Sequence, residues 1–138
     1  MWIPLVLVAI VTVIAIPNLK LARMTANEGS AKRSLHAINA AEAEFSTSNP
    51  TIGYVCSLGI LRDAHLLPAS LASGMDKGYW FELSDCGLEL PTKAYRVVAK
   101  PAAKNKTGYW VFCSDQMARV KGSPDSERDC FDQGVAQH

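Results

Sequence analysis

The first nineteen residues, MWIPLVLVAIVTVIAIPNL, carry no ionisable side chain, and at Lys20 the chain turns abruptly into a charged, alanine-rich stretch. Ten of the residues from Ile3 to Ile16 are Ile, Leu or Val. On a translocon-insertion scale ten such residues contribute roughly −3 to −6 kcal/mol, against smaller penalties for Pro4, Thr12 and Pro17. The pattern predicts a transmembrane segment over residues 1–19. A helix opened by Pro4, whose missing N–H suits a first turn, and running to Leu19 is about 24 Å long at ~1.5 Å per residue. A bilayer core of about 30 Å is only just spanned by it. No basic region precedes the run and no A-x-A pattern follows it, so it does not read as a cleaved signal peptide. A helix apolar on every face is also rare inside so small a domain, which argues against a buried core helix.

Past Pro17 the stretch from Asn18 to Phe45 holds no proline and a single glycine, Gly29. Leu35, Ile38, Ala41 and Phe45 recur at spacings of three, three and four, which places them on one face of a helix. Lys32, Arg33, His36 and Glu42 fall on other sides, and Glu28 stands four residues before Lys32, the favourable order for a helical ion pair. The helix is predicted to end near Ser46, because STSNP supplies breakers and the residue before Pro50 is pushed out of the α region. Two parts follow from this reading: an N-terminal helix over 1–45, with 1–19 transmembrane and 20–45 amphipathic, and a head over 46–138. With 138 residues and a net charge of +1, the head is one small globular unit. Its basic residues are interleaved with acids and form no stripe, so no nucleic-acid partner is expected. Lys20, Arg23, Lys32 and Arg33 lie where they could meet anionic lipid headgroups, or simply form a solvated helix face.

The segment IAIPNLKLARMTANEGSAKRSLHAINAAEAEFSTSNPTIGY, Ile14 to Tyr54, resembles the amino-terminal region of type IV pilins, in particular those whose helix runs IAIPNLL-R-ANE-SA-SLR-IN-A. A looser likeness continues through GYWFELSDC, AYRVVAKP, TGYWVFCSDQ and Cys130. The resemblance implies a long helix kinked at Pro17, with Ile3, Leu5, Leu7, Ile10, Val13, Ile14, Ile16 and Pro17 in the membrane or in the core of a helical filament. It implies that Leu35, Ile38 and Phe45 pack against a small antiparallel sheet. It implies partners too: further pilin copies in the filament, and the inner membrane before assembly. The head would then be periplasmic first and extracellular later, with adhesion and motility as the filament's roles.

Within the head, Thr47 to Lys77 reads as a mixed connection packed over the sheet, with a short helical candidate at Leu61 to Leu71. Gly78 to Ser84 alternates Tyr79, Phe81 and Leu83 against Trp80, Glu82 and Ser84. Ala94 to Lys100 alternates Tyr95, Val97 and Ala99 against Arg96, Val98 and Lys100, and the odd-numbered faces are predicted to point inward. Gly108 to Ser114 repeats the Gly-Tyr-Trp opening, and a fourth strand is expected over Ala118 to Lys121. Short connections favour an antiparallel meander and an α+β class with the helix on one face. Trp80 and Trp110 are either sheet packing or an interface. Asn105-Lys106-Thr107 has the form of a glycosylation sequon and is read as an ordinary turn.

Cys56, Cys86, Cys113 and Cys130 are spaced by 30, 27 and 17 positions, with no C-x-x-C and no histidine at ligand spacing, so disulfides fit better than zinc. Disulfides in turn imply an oxidising compartment such as the periplasm. In a meander Cys86 and Cys113 follow strands two spacings apart, about 9 to 10 Å, beyond disulfide reach. Two schemes remain open on these grounds. The resemblance implies Cys56 with Cys86 and Cys113 with Cys130, the latter being the carboxy-terminal loop closure of many pilins. No cofactor, metal or small-molecule substrate is expected: His36, His65 and His138 lack supporting groups, and no nucleophile elbow, zinc motif or phosphate loop is present. Asp125, Glu127, Asp129 and Asp132 lack the glycine and spacing of a calcium loop and read as a solvated tail.

The sequence therefore reads as a structural subunit of a type IV pilus, not an enzyme. The alternatives are a pseudopilin of a type II secretion system and a membrane-anchored periplasmic binding or adhesion module that never polymerises. Lys20 and Arg23 follow the apolar run with nothing basic before it, which on charge alone would put the head in the cytoplasm; the cysteines favour the opposite side. Pilins resembling this chain carry a basic leader ending in Gly and then a segment ending in Glu. Aligning Ile16-Pro17 with the family's Ile-Pro places that Glu directly before Met1. The in-frame DNA upstream is accordingly expected to encode basic residues, a Gly and a five-residue segment ending in Glu. A stop codon there favours the anchored chain that does not assemble.

Overall fold

The computed structural model describes residues 19–138 in full and residues 2–18 only as part of the first helix. That helix, α1, runs Trp2–Ser48. The predicted spanning residues Ile3, Leu5, Leu7, Ile10, Val13, Ile14, Ile16 and Pro17, and the kink at Pro17, lie outside the fully described residues, among which no helix is long and apolar enough to cross a membrane. After α1 come two short helices, α2 (Leu58–Asp63) and α3 (Ala69–Ala72), then strands β1 (Met75–Asp76), β2 (Tyr79–Ser84), β3 (Arg96–Pro101), β4 (Val111–Asp115) and β5 (Lys121–Ser123), helix α4 (Glu127–Gln133) and strand β6 (Val135–Ala136). All six strands form one antiparallel sheet in sequence order. The class is α+β.

The sheet's inner face is set by period-two alternation. Tyr79 and Phe81 on β2, Val97 and Ala99 on β3, and Phe112 on β4 are buried. Register aligns Phe81 with Ala99, Ala99 with Phe112 and Phe112 with Gly122, so a row of large and small residues runs across four strands beneath α1. Into it α1 lowers Ala31, Leu35, Ile38, Ala41 and Phe45, with Leu35 and Ile38 wholly inaccessible. Fully burying side chains of this size stabilises by about 1.5–3 kcal/mol each. The connection after α1 completes the core: Val55, Leu58, Leu61, Leu67 and Leu71 are all buried. It is a packed layer with two separate helices where one candidate over Leu61–Leu71 was expected, because Ala64 to Pro68 intervenes, with His65 at a left-handed φ of 61°.

The other face is covered as well. Val98, Val111 and Cys113 lie beneath α4, which brings Cys130 and Phe131 down on them. Val98 is thus buried although it sits on the face expected to meet solvent. The acidic segment is a capped helix and not a solvated tail: Ser126 Oγ accepts from Asp129 N–H at 3.1 Å, and Glu127 and Asp129 occupy the first turn, where carboxylates oppose the helix dipole favourably. The strand expected over Ala118–Lys121 is β5, Lys121–Ser123, which shares only Lys121 with that range.

Both disulfides are present. Cys56–Cys86 has its Cα atoms 5.9 Å apart and ties the connection after α1 to the end of β2; Cys113–Cys130, at 6.2 Å, fastens α4 to β4. Closing a loop of 17 positions is worth about 3 kcal/mol in the chain-entropy account. Replacing Leu35 with Ala should cost about 2–5 kcal/mol in urea unfolding of the oxidised protein, the range for emptying a closed core site. Leu21→Ala, at a residue 64% exposed, should cost almost nothing. Equal costs would show that the face of α1 carrying Leu35 is not its buried face.

Candidate functional site: the helix–sheet junction

What α1 does beyond burying leucines is visible in four polar attachments. Near its exposed end Asn27 Nδ2 donates to the Thr107 carbonyl at 2.9 Å. At the next residue, Glu28 Oε1 accepts from the Tyr109 and Trp110 N–H groups at 2.9 and 3.4 Å. The ion pair expected between Glu28 and Lys32 does not form; the carboxylate instead caps the strand-entry backbone, and the Lys32 ammonium lies 5.8 Å from the centre of the Phe112 ring. Sequence spacing could not show this, because the competing partner stands 81 residues away.

The hairpin held by these bonds is itself tightly seated. Tyr79 Oη donates to the Trp110 carbonyl at 2.8 Å, and Gly108 packs on the Tyr79 ring so closely that any Cβ there would collide with it. Asn105, in the sequon-like triplet, takes a left-handed φ of 67°, and Thr107 Oγ1 accepts from Ala103 N–H at 3.1 Å, so the triplet is a structured turn. Burial and the Glu28 charge both push the Tyr79 phenol up, keeping it neutral and a donor.

Deeper in the junction a buried chain runs from Tyr95 Oη to Asn39 Oδ1 at 2.7 Å, from Asn39 Nδ2 to Ser114 Oγ at 2.9 Å, and from Ser114 Oγ to the Arg119 carbonyl at 2.9 Å. It joins α1, the entry to β3, β4 and the β4–β5 connection through satisfied bonds, which fixes rotation and register more sharply than apolar packing alone. Tyr54 stacks edge-on against Tyr95 with ring centres 4.9 Å apart.

The fourth attachment is Glu42, which has no accessible surface. Its Oε1 accepts from Val55 N–H at 3.0 Å, while Oε2 has no hydrogen-bond partner. Desolvation raises its pKa from 4.5 to about 7, the Val55 N–H opposing the shift. Glu42 thus pins the segment after α1, which Gly53 continues: at φ +78° it sits against the Thr92 backbone where a Cβ would collide, and Tyr54 N–H donates to Thr92 O at 3.0 Å. Glu42 was expected on a non-core side, but it stands four residues past Ile38 and three before Phe45, spacings that put it on the core face, where the connection after α1 covers it.

The structure brings Leu35, Ile38 and Phe45 together in this core and pairs the four cysteines around it. Trp80 is half exposed on the outer face opposite Met75, whereas Trp110 packs against the core. His36, His65 and His138 are exposed and scattered. Among the described residues no three His, Cys, Asp or Glu side chains gather as a metal-binding group. No family model, curated protein or solved structure matches the chain.

Between pH 4.5 and 7 folded Glu42 keeps a proton that the unfolded chain has lost, so stability should fall as pH rises through that window, by at most about 1.4 kcal/mol per unit. Glu42→Gln keeps an acceptor for Val55 and cannot ionise. It should flatten the pH dependence of the urea midpoint and raise stability at pH 8 by about 1–3 kcal/mol. An unchanged slope in the variant would place the titration elsewhere.

Proposed function

We propose that the protein is a structural subunit of a type IV pilus, assembling through the apolar start of α1 and displaying the disulfide-bonded head. The observation that carries this reading is the division of labour along α1. Ala31 to Phe45 is stitched into the head, whereas Leu19 and Leu21 are 60% and 64% exposed and residues 1–19 carry no charged side chain. Exposed leucines that continue a charge-free apolar run of sequence call for either lipid or further copies of the helix. Two disulfides support a head held in an oxidising compartment. The likeness of Ile14–Tyr54 to pilin amino-terminal regions supports the filament.

The reading is tested by shearing surface filaments from the native host and identifying their constituents by mass spectrometry. This chain in bulk is the expected result for a major subunit, and traces for a minor one. Its absence from filaments, while the protein stays in the membrane fraction, would favour the anchored module. A phosphatase fused after His138 is expected to be active, as it is only outside the cytoplasm. An inactive fusion beside an active cytoplasmic reporter would overturn the orientation.

A further inference from the structure

Where α1 leaves the head, three cations from two elements line one groove. Lys20 and Arg23 come from α1 and Lys106 from the β3–β4 hairpin, and with Leu19 they enclose about 350 Å³. Lys106 is brought there by the bonds described above: Asn27 holds the Thr107 carbonyl and Glu28 holds the backbone of Tyr109 and Trp110, so the hairpin tip reaches past them along the helix. The neighbouring lysine is employed differently. Lys104 Nζ donates to the Pro124 carbonyl at 2.8 Å and lies 5.6 Å from the centre of the Tyr109 ring.

Among the described residues Lys20, Arg23 and Lys106 have no acidic partner within ion-pair distance, and residues 1–18 contain no Asp or Glu to provide one. Three clustered like charges with no counterion in the chain repel one another unless an anion is supplied from outside. The position says which anion. Lys20 follows directly on the last residue of the charge-free run, and Arg23 lies about 4.5 Å further along the axis at ~1.5 Å per residue. The polar headgroup layer on each side of a bilayer core is about 5–7 Å deep. The groove therefore falls in that layer when the apolar run is in the membrane.

We propose that this groove is a binding site for the phosphate of an anionic phospholipid headgroup, which seats the base of the head on the membrane surface before assembly. The proposal rests on the membrane-anchored reading of α1 and adds to it a ligand and a contact from the head itself. Lys20 and Arg23 precede the head and would accompany any anchor, but Lys106 reaches the groove only because the hairpin is folded onto α1. The seat is a property of the folded protein, and it weakens with salt because its ligand is a surface charge.

The test reconstitutes the full, oxidised chain into vesicles of phosphatidylcholine, with or without phosphatidylglycerol, and measures amine acetylation by a water-soluble reagent through mass spectrometry. Lys93, exposed on the β2–β3 connection, is the reference. Each basic side chain at an anionic surface gains about fivefold in local binding. Labelling of Lys20 and Lys106 should therefore fall severalfold relative to Lys93 in the anionic vesicles, and recover at high salt. In Arg23→Gln, at an exposed residue that makes no bond to the head, the protection of Lys106 should shrink. Equal labelling of Lys106 in both vesicle types would overturn the site while leaving the anchor intact. Failure to incorporate into either vesicle would overturn the anchored reading and the site with it. Protection by inorganic phosphate in phosphatidylcholine vesicles would make the ligand a free anion, and a zero-length cross-link from Lys106 to a carboxylate of a second copy would make the groove an interface; either result overturns the lipid assignment.

Discussion

The seam between one face of α1 and the inner face of the sheet is the constraint on which the rest of the head depends. Leu35 and Ile38 fill the space above a row that alternates Phe81, Ala99, Phe112 and Gly122, and the small members of that row let the helix approach. Apolar packing alone would tolerate some rotation or sliding of the helix. The Tyr95–Asn39–Ser114 chain, Glu42 with Val55, and Glu28 with the Tyr109–Trp110 backbone remove that freedom at three heights along the axis. The direction in which α1 leaves the head is consequently determined by side chains within the head.

Much of this was legible from periodicity. Leu35, Ile38, Ala41 and Phe45 at helical spacing, and Tyr79, Phe81, Val97 and Ala99 at strand spacing, mark the two surfaces that meet. The fate of Val98 was not legible, because alternation records which face a side chain takes and not whether a later helix will cover that face. The acidic run around Cys130 read as a solvated tail; its cap, Ser126, becomes meaningful once Cys130 is fastened to Cys113. Glu42 was misplaced for a different reason. Its spacing from Leu35, Ile38 and Phe45 puts it on the core face, but a carboxylate on a helix is solvated by default, and it is the return of residues 53–55 over α1 that supplies the N–H from which it accepts.

The polar attachments also divide by cost. The chain through Asn39 is satisfied at every described step and so adds order without an unmet group. Glu42 is the exception, with one oxygen bonded and one not. A buried carboxyl in that state destabilises the fold when charged, so the junction is held more firmly in its neutral form.

The strands of the sheet lie in the order in which they are made, each paired with its immediate predecessor. Such a sheet can zip through short loop closures and asks little of distant segments. Its two coverings are the opposite of local: α1, from the start of the chain, lies on one face, and α4, from the end, lies on the other. Among the described residues, the cover of Val98, Val111 and Cys113 comes from the final dozen, through Cys130 and Phe131. The head is in this sense a clasp that closes from its tail, and the bond between Cys113 and Cys130 is the catch that records the closing in covalent form.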